Sequence, residues 1–463
     1  MKTFLKRIYS GFSNAWGRLS LPWHFAITSV LLARLFYTLW SFAVFSLFPV
    51  AIQNINLSGK PVLTVFDLRI SQRYIYSRVV DEGVLAFRPV NGNFVRDTQT
   101  DSVWELSSGK AVKGPLAGSR LQVSTIPVES IFPYKGVEAN PTPLLAVWQH
   151  FDANWYLSIA QNGYGQFPDD THFAPLYPLL IRLFYPLVGD WLVTGLIIAQ
   201  LAIIWLVKVL YEVFDDWGGK AIARKSVFLM LIFPSAFFLF SAYAEPLFIL
   251  TAVLALEGIH SRRWMLAGFW TACAILSRVQ GVVLVLPLAY ALWKVYRLNI
   301  SANHFKAFIF PGLATVAYIT LRIVAGAPSV IPVNEPSVAA KLVWPWNNFV
   351  DAFRLFKDGA FTYINVVNLV LTLLIVTLLI YGWKKIPIEY SLYSIACILI
   401  LVMREVETQP LNPMIRYALT IPPVFYMLGK FSQNPWINRL ILIISLLLGL
   451  YLSAQFFMWG FVA

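Results

Sequence analysis

Charge is scarce in this sequence. Only 13% of its 463 residues are Asp, Glu, Lys or Arg, while 58% are hydrophobic, and the mean hydropathy is +0.65. Soluble globular chains carry about a quarter charged residues, so this composition excludes a soluble globule and leaves a polytopic membrane protein. Cysteine is nearly missing: Cys273 and Cys397 both lie inside apolar runs, which excludes a disulfide framework and a thiolate metal site. The repeat-related broken segments that mark many secondary transporters are not visible either. A small-residue cleavage site is lacking after the basic stretch Met1 to Arg18, and the apolar run that follows is longer than a signal-peptide core. An uncleaved first span is therefore expected. The charge that is present is lopsided, at +13. In a chain this apolar, clustered Lys and Arg mark cytoplasmic loops, so no nucleic-acid partner is expected.

The chain reads as four sections. Residues 1–50 hold a cytoplasmic N-terminus with Lys2, Lys6, Arg7 and Arg18, then a first span over 25–50. That run is long enough for a hydrocarbon core of about 30 Å at about 1.5 Å per residue. Arg34 within it calls for an interior partner or for snorkelling rather than chemistry. Over 51–145 the pattern changes to short alternating runs at 62–70, 73–80, 83–88 and 102–106. They are broken by Asp81-Glu82-Gly83, Asn91-Gly92-Asn93 and Ser108-Gly109-Lys110, which is hairpin chemistry. A small, mostly β, extracytoplasmic insertion follows, with no catalytic cluster. Residues 146–190 form juxtamembrane helices, and 191–463 a helix bundle with an outer capping loop at 325–360. In that loop Trp344-Pro345-Trp346 precedes an amphipathic stretch, 349–356, suited to lying on lipid.

The segment 173–188 decides the topology. As a helix on the outer surface it leaves spans at 25–50, 191–211, 226–242, 245–259, 264–277, 281–295, 307–324, 361–383, 388–403, 416–428 and 440–460. That arrangement places Arg224/Lys225, Arg262/Arg263, Lys294/Arg297/Lys306, Lys384/Lys385 and Lys430/Arg439 all on the cytoplasmic side. Asp152, His172, Glu245, Arg278, Gln280, the Arg404-Glu405-Val406-Glu407 loop and Arg416 then fall at the outer ends of their helices.

One stretch stands apart, Trp148-Gln149-His150-Phe151-Asp152-Ala153-Asn154-Trp155-Tyr156. It sets a lone carboxylate among aromatics, runs into the turn Asn162-Gly163-Tyr164-Gly165, and reaches a proline-bracketed apolar segment from His172 to Pro178. Asp152 is the candidate reacting group, and an N-cap for the helix that follows is its other role. Arg278 and Arg416 suit a phosphate, because guanidinium donates bidentate, charge-assisted hydrogen bonds and stays protonated; snorkelling is the alternative for each. His172 fits a phosphate donor or an interfacial histidine, and Glu245, ahead of Pro246, fits a helix start as well as a site. Asp169, Asp170, Glu245 and Asp152 offer oxygen ligands to a divalent cation, though their spacing does not require one. Trp155, Tyr156, Tyr164 and Tyr177 suit an interfacial belt or a sugar-stacking wall.

The run Phe151 to Tyr164, with Asp152, Tyr156-Leu157-Ser158-Ile159-Ala160 and Gly163-Tyr164, resembles the first outer loop of PIG-V-type mannosyltransferases. His172-Phe173-Ala174-Pro175-Leu176-Tyr177-Pro178 is similar to that family's next block, as Phe233-Pro234-Ser235 with Ser241 to Glu245 is to its Ser/Glu segment. Ser277-Arg278-Val279-Gln280-Gly281 resembles its Thr-Arg-x-Asn-Gly turn, and Met414-Ile415-Arg416-Tyr417 its late Pro-Arg-Tyr block. The blocks keep the family order. Three features depart from it: the long insertion before Asp152, Phe151 in place of Trp, and Ala244-Glu245-Pro246 in place of Ser-Glu-Ser.

The resemblance implies the GT-C glycosyltransferase superfamily, so the spans counted above, about eleven, are expected to form an all-α, GT-C-like bundle of transmembrane helices. It also implies a polyprenyl-phosphate sugar donor, the mannosyl one by the family's name; a glycolipid or glycan acceptor and a bacterial plasma membrane, or an endoplasmic reticulum, are the expected partner and location. Transfer from a sugar phosphate needs an activated acceptor hydroxyl, but the phosphate leaves unprotonated. One carboxylate therefore suffices where glycoside hydrolysis uses a pair. On this scheme Asp152 is the general base of an inverting displacement. Arg278 and Arg416 take the phosphate, and His172, Tyr177, Glu245, Gln280 and Tyr417 complete substrate binding. No cofactor is required, and a divalent cation is compatible. A transporter of lipids or lipid-linked sugars, and a polymerase or ligase of lipid-linked glycans, are the alternatives.

Overall fold

The computed structural model describes residues 17, 19–57, 59–68, 72–81, 83–297, 302–327, 340–406, 409–460 and 462. Lys2, Lys6, Arg7, Arg18, Glu82, Glu407 and part of the capping loop lie outside them. The chain divides into two compact units, Phe36–Ser158 with Leu450–Val462, and the remainder.

The first helix, α1 (Leu21–Leu47), ends at Leu47, and Val50, expected within the span, opens the first strand. Strands β1 (Val50–Leu57), β2 (Lys60–Asp67) and β3 (Gln72–Ser77) form an antiparallel sheet in that order. Its first hairpin closes at Leu57↔Lys60 around Gly59, whose φ of 78° suits a residue without Cβ. After the short ribbon β4 (Val79–Val80) and β5 (Gly83–Val84), a meander follows: β6 (Phe87–Asn91), β7 (Phe94–Asp97), β8 (Val103–Glu105) and β9 (Lys110–Lys113). Its turns sit at Gly92 and Gly109, both left-handed, where the Asn-Gly-Asn and Ser-Gly-Lys signals predict them. β2 is buried on both faces. Leu63 and Val65 pack with Phe87, Val95 and Trp104 on one side, and Phe66 packs with Phe132, Tyr134 and Trp459 on the other.

Asp97 fastens the meander from inside. It is fully buried, and its carboxylate accepts the Trp104 indole N–H at 2.9 Å together with the Thr100 amide and hydroxyl. Burial alone raises a carboxyl pKa; here these donors and the Ser102 amide outweigh it and hold Asp97 below the usual aspartate range.

The other unit is helical: α2 (Asp152–Asn162, shared at its start with the β unit), α3 (Leu176–Val188), α4 (Trp191–Gly218), α5 (Lys220–Leu231), α6 (Glu245–His260), α7 (Trp264–Ser277), α8 (Val285–Tyr296), α9 (Ile309–Val324), α10 (Asn347–Lys357), α11 (Tyr363–Gly382), α12 (Ile388–Met403), α13 (Pro422–Phe431) and α14 (Pro435–Phe457). Strands β10 (Ala340–Leu342) and β11 (Arg404–Val406) pair antiparallel beside it. Asp190 caps α4 by accepting the Val193 amide at 2.8 Å, and Gly219, at φ 84°, ends that helix. Arg34 has the interior partner expected of it, donating from Nε to Gln200 Oε1 at 2.9 Å.

Among the described residues six helices, not eleven, are long and apolar enough to cross a bilayer: Leu21–Leu47, Trp191–Gly218, Val279–Tyr296, Lys306–Val324, Tyr363–Gly382 and Pro435–Phe457. Membrane placement of the chain stands on them. The segments expected at 226–242 and 416–428 are broken. α5 stops at Leu231 ahead of Pro234 and resumes only as a 3₁₀ turn, Ala236–Leu239, while Ile421 separates Met414–Thr420 from α13, which opens on Pro422-Pro423. α6, α7 and α12 have 16, 14 and 16 residues, short of the roughly 20 that a crossing takes. At 13 residues with Pro186 inside, α3 is shorter still.

Because the Asp97 carboxyl is held below its unfolded value, its stabilisation is complete above about pH 4 and is lost as pH falls through the lowered value. Asp97→Ala is expected to cost about 2–3 kcal/mol by stranding the Trp104 N–H. Amide exchange over residues 87–113 in the full chain measures it, and unchanged protection at neutral pH would remove Asp97 from this role.

Candidate active site

Three stretches far apart in sequence meet at Glu245. The first residue of α6, it is fully buried, and its Oε1 accepts from Arg278 Nη1 and from Arg416, whose Nε lies at 2.5 Å and whose Nη2 also closes on the same oxygen. Oε2 has no partner among the described residues. Both arginine side chains are close to buried, at 10% and 7% exposed, so two guanidinium groups face one carboxylate with little solvent between them. Arg278 Nη2 donates to the Tyr417 hydroxyl at 3.2 Å and its Nε to Gln280 Oε1 at 3.4 Å. Gln280 Nε2 reaches the same tyrosine oxygen at 3.4 Å. Arg416 lies against the stacked rings of Phe238 and Tyr243, at 4.9 and 4.8 Å from their centroids.

Local sequence explains the convergence. Arg278 takes an extended backbone between α7 and the 3₁₀ turn Val279–Leu284. A Cβ on Gly281 would come within 2.4 Å of the Ala274 and Ile275 backbone, so only glycine lets the turn fold onto α7 and direct Arg278 inward. Arg416 sits in the one-turn helix Met414–Tyr417, held from three sides: Asn368 Oδ1 accepts the Ile415 amide at 3.1 Å, Ser235 Oγ donates to the Ile415 carbonyl at 2.6 Å, and Asn348 Oδ1 accepts the Leu411 amide at 3.1 Å. Each of those side chains is fully buried. Arg278, Gln280 and Tyr417 open on a small, mostly apolar pocket of about 280 Å³, part of it open, lined also by Phe248, Cys397 and Thr420.

Two further expected site residues lie apart from this cluster's hydrogen bonds. Tyr177 is fully buried on α3 and donates to the Gly195 carbonyl at 2.9 Å. A Cβ at Gly195 would touch both that hydroxyl and Ala242, so Tyr177 supports the segment leading into Glu245 rather than facing open space. His172 closes the 3₁₀ turn Asp170–His172, its Nδ1 at 2.9 Å from the Asp169 carbonyl. That loop is organised by Asp170, whose Oδ2 accepts the amides of Gly165, Gln166 and Phe167 at 2.7, 3.0 and 3.3 Å. Arg322 and Tyr318 both donate to the Thr171 carbonyl at 2.8 Å.

Asp152 belongs to the β-containing unit and is the first residue of α2. It follows Phe151, which adopts a φ of 50°, so the chain turns sharply at this point. Gln149 ties the turn down, accepting the Asn140 amide and donating to the Glu138 carbonyl, both at 2.8 Å. His150 is fully buried with Nδ1 at 2.8 Å from the Phe456 carbonyl and its ring 4.2 Å from that of Trp459; burial pushes its pKa down to about 3, so it is neutral. The Trp155 ring carries Lys135 Nζ over its face at 4.0 Å.

The divalent-cation reading of Asp169, Asp170, Glu245 and Asp152 is corrected. Among the described residues no group of three or more His, Cys, Asp or Glu side chains is arranged to hold a metal. Asp170 and Glu245 instead spend an oxygen each on backbone amides and arginines. Sequence reasoning named Glu245, Arg278, Gln280, Arg416 and Tyr417 but missed the aromatic walls, Phe238 and Tyr243. Both sit in the Phe233 to Glu245 stretch, and an aromatic pair beside an intramembrane arginine partner is the signal that would have found them.

Compared with known proteins, residues 136–325 match the family model described as Mannosyltransferase (PIG-V), whereas no curated protein and no solved structure matches. The segment that holds Asp152, His172, Tyr177, Glu245, Arg278 and Gln280 is thus similar to the PIG-V mannosyltransferase family.

Proposed function

We propose that this protein is an inverting glycosyltransferase that moves mannose from a polyprenyl-phosphate donor to a lipid-linked or surface glycan acceptor. The observation that carries the reading is the gathering of two buried arginines on one carboxylate. Arg278 and Arg416 share one carboxylate oxygen of Glu245, and Arg278 lines a pocket. Guanidinium groups held in this way suit a phosphate diester, which they bind with charge-assisted, often bidentate hydrogen bonds.

Glu245 aims both guanidinium groups, Tyr417 and Gln280 supply neutral hydrogen bonds beside them, and the apolar lining from Phe248 and Cys397 suits the first carbons of an isoprenoid chain. Asp152 takes the acceptor proton while the acceptor oxygen attacks the anomeric carbon. The bond to the phosphate oxygen breaks, the phosphate leaves as an anion onto the arginines, and the configuration inverts. The match to a mannosyltransferase family over residues 136–325 supports glycosyl transfer and favours mannose. Placement at the outer or lumenal face rests on the run of basic clusters read from the sequence.

Asp152→Asn is expected to lower transfer by about 10²- to 10⁴-fold while leaving binding of the polyprenyl-phosphate sugar intact. Radiolabelled donor in detergent with a glycolipid acceptor measures both, and near-normal turnover would remove Asp152 as the base. Glu245→Gln leaves two buried guanidinium groups opposed and is expected to destabilise by about 3–5 kcal/mol. Arg416→Gln, which leaves Arg278 paired with Glu245, should keep most of the thermal stability but weaken donor affinity. Retained stability with unchanged donor affinity would make the cluster purely structural.

A further inference from the structure

The face of α10 that looks away from the bundle is apolar over an arc of about 120°, with exposed Lys357 at its C-terminal end. At about 100° per residue, Asn348 and Ala352, both buried, mark the side packed on protein. Val350, Phe353 and Phe356 follow on an exposed side, at 43%, 68% and 68% exposure. Asp351 and Arg354, an ion pair at 3.2 Å, share the remaining arc. The helix thus presents three environments around its axis. Just before it, Trp344 and Trp346 are 65% and 59% exposed and stack at 5.2 Å.

Chain connectivity identifies what covers this face. β10, two residues ahead of Trp344, pairs with β11, which continues directly from the end of α12. After α10, the five residues 358–362 lead into α11, one of the six bilayer-length helices. Five extended residues reach about 18 Å at most. α10 is therefore tethered on one side, through β10 and β11, to the C-terminal end of α12 and on the other to the N-terminal end of α11. Large apolar side chains so close to the end of a bilayer-length helix suit lipid contact, and exposed tryptophans suit the headgroup region.

The same helix reaches the site. On its buried side Asn348 Nδ2 donates to the Val402 and Arg404 carbonyls at 2.8 and 3.1 Å, and Oδ1 accepts the Leu411 amide at 3.1 Å. Leu411 is five residues before Arg416.

We propose that α10 and the Trp344/Trp346 pair form an interfacial membrane anchor, inserted in the bilayer surface through Val350, Phe353 and Phe356, which through Asn348 holds the segment carrying Arg416 in place. The inference does not depend on which reaction the site performs.

The test uses the full chain in phosphatidylcholine nanodiscs, with Cys273 and Cys397 replaced by alanine and a bimane label on Phe353→Cys or, as the control, on Arg354→Cys. Brominated acyl chains are expected to remove roughly half of the emission at 353 and much less at 354, as suits side chains buried about 5–10 Å into the interface. Equal, weak quenching at both positions overturns the anchor. Quenching at 353 that appears only after polyprenyl phosphate is added overturns it as well, since the face would then be a groove for the donor's tail. In parallel, Phe353→Ser/Phe356→Ser is expected to speed amide exchange over residues 409–417 by roughly tenfold, and Asn348→Ala to do the same with the anchor quenching retained. Unchanged exchange in both variants overturns the coupling.

Discussion

The acid of Glu245 between two arginines is the constraint to which the helical unit is built. The partners come from 33 and 171 residues further along the chain, and none of the three groups is tolerable alone in a low-dielectric interior. Removing the carboxylate leaves two buried guanidinium groups opposed, so the segments that carry the three groups must be present and in register together. That requirement explains the otherwise costly supports around them: a glycine at 281 where any side chain would collide with α7, and buried Asn368 and Ser235 bonded to the amide and carbonyl of one residue, Ile415.

The cluster also separates two roles that composition alone leaves mixed. Two guanidinium groups on one carboxylate oxygen form a rigid pair, because each is fixed by a strong bond on one edge. Arg278 already spends part of its remaining capacity on Tyr417 and Gln280, so its orientation is set before anything binds. Preorganised donors of this kind cost nothing to reorient when negative charge arrives. The carboxylate is then an aiming device for the arginines, and a reacting carboxylate must be sought elsewhere, which is how Asp152 enters the proposed mechanism.

Much of this was legible in the sequence. The hairpin glycines at 92 and 109 specify their turns locally, and the residue blocks around Arg278 and Arg416 point to a charged site because arginine inside an apolar chain is expensive. What was not legible depended on long-range pairing. Val50 reads as the last residue of a membrane helix until β2 is available to pair with it. Asp169 and Asp170 read as cation ligands until the loop folds and three amides of residues 165–167 converge on one oxygen. Glu245 reads as a helix start, which it is, and only the arrival of residues 278 and 416 makes it more.

The shortfall in long spans and the position of the site have one cause. Hydropathy counts apolar residues and is blind to where a helix stops, and several segments counted as full crossings stop at the site. α5 ends short of Pro234 so that Ser235 can reach Ile415, Arg278 lies at the joint between α7 and a 3₁₀ turn, and Arg416 lies in a single turn cut off from α13 by Ile421 and Pro422. A continuous helix buries its own amides and carbonyls and projects side chains only sideways, whereas a break frees backbone groups that must be satisfied inside hydrocarbon. Here buried serine and asparagine side chains satisfy them, and the same breaks let three charged groups approach end-on. The interruptions that shorten the helices are what bring Glu245, Arg278 and Arg416 together.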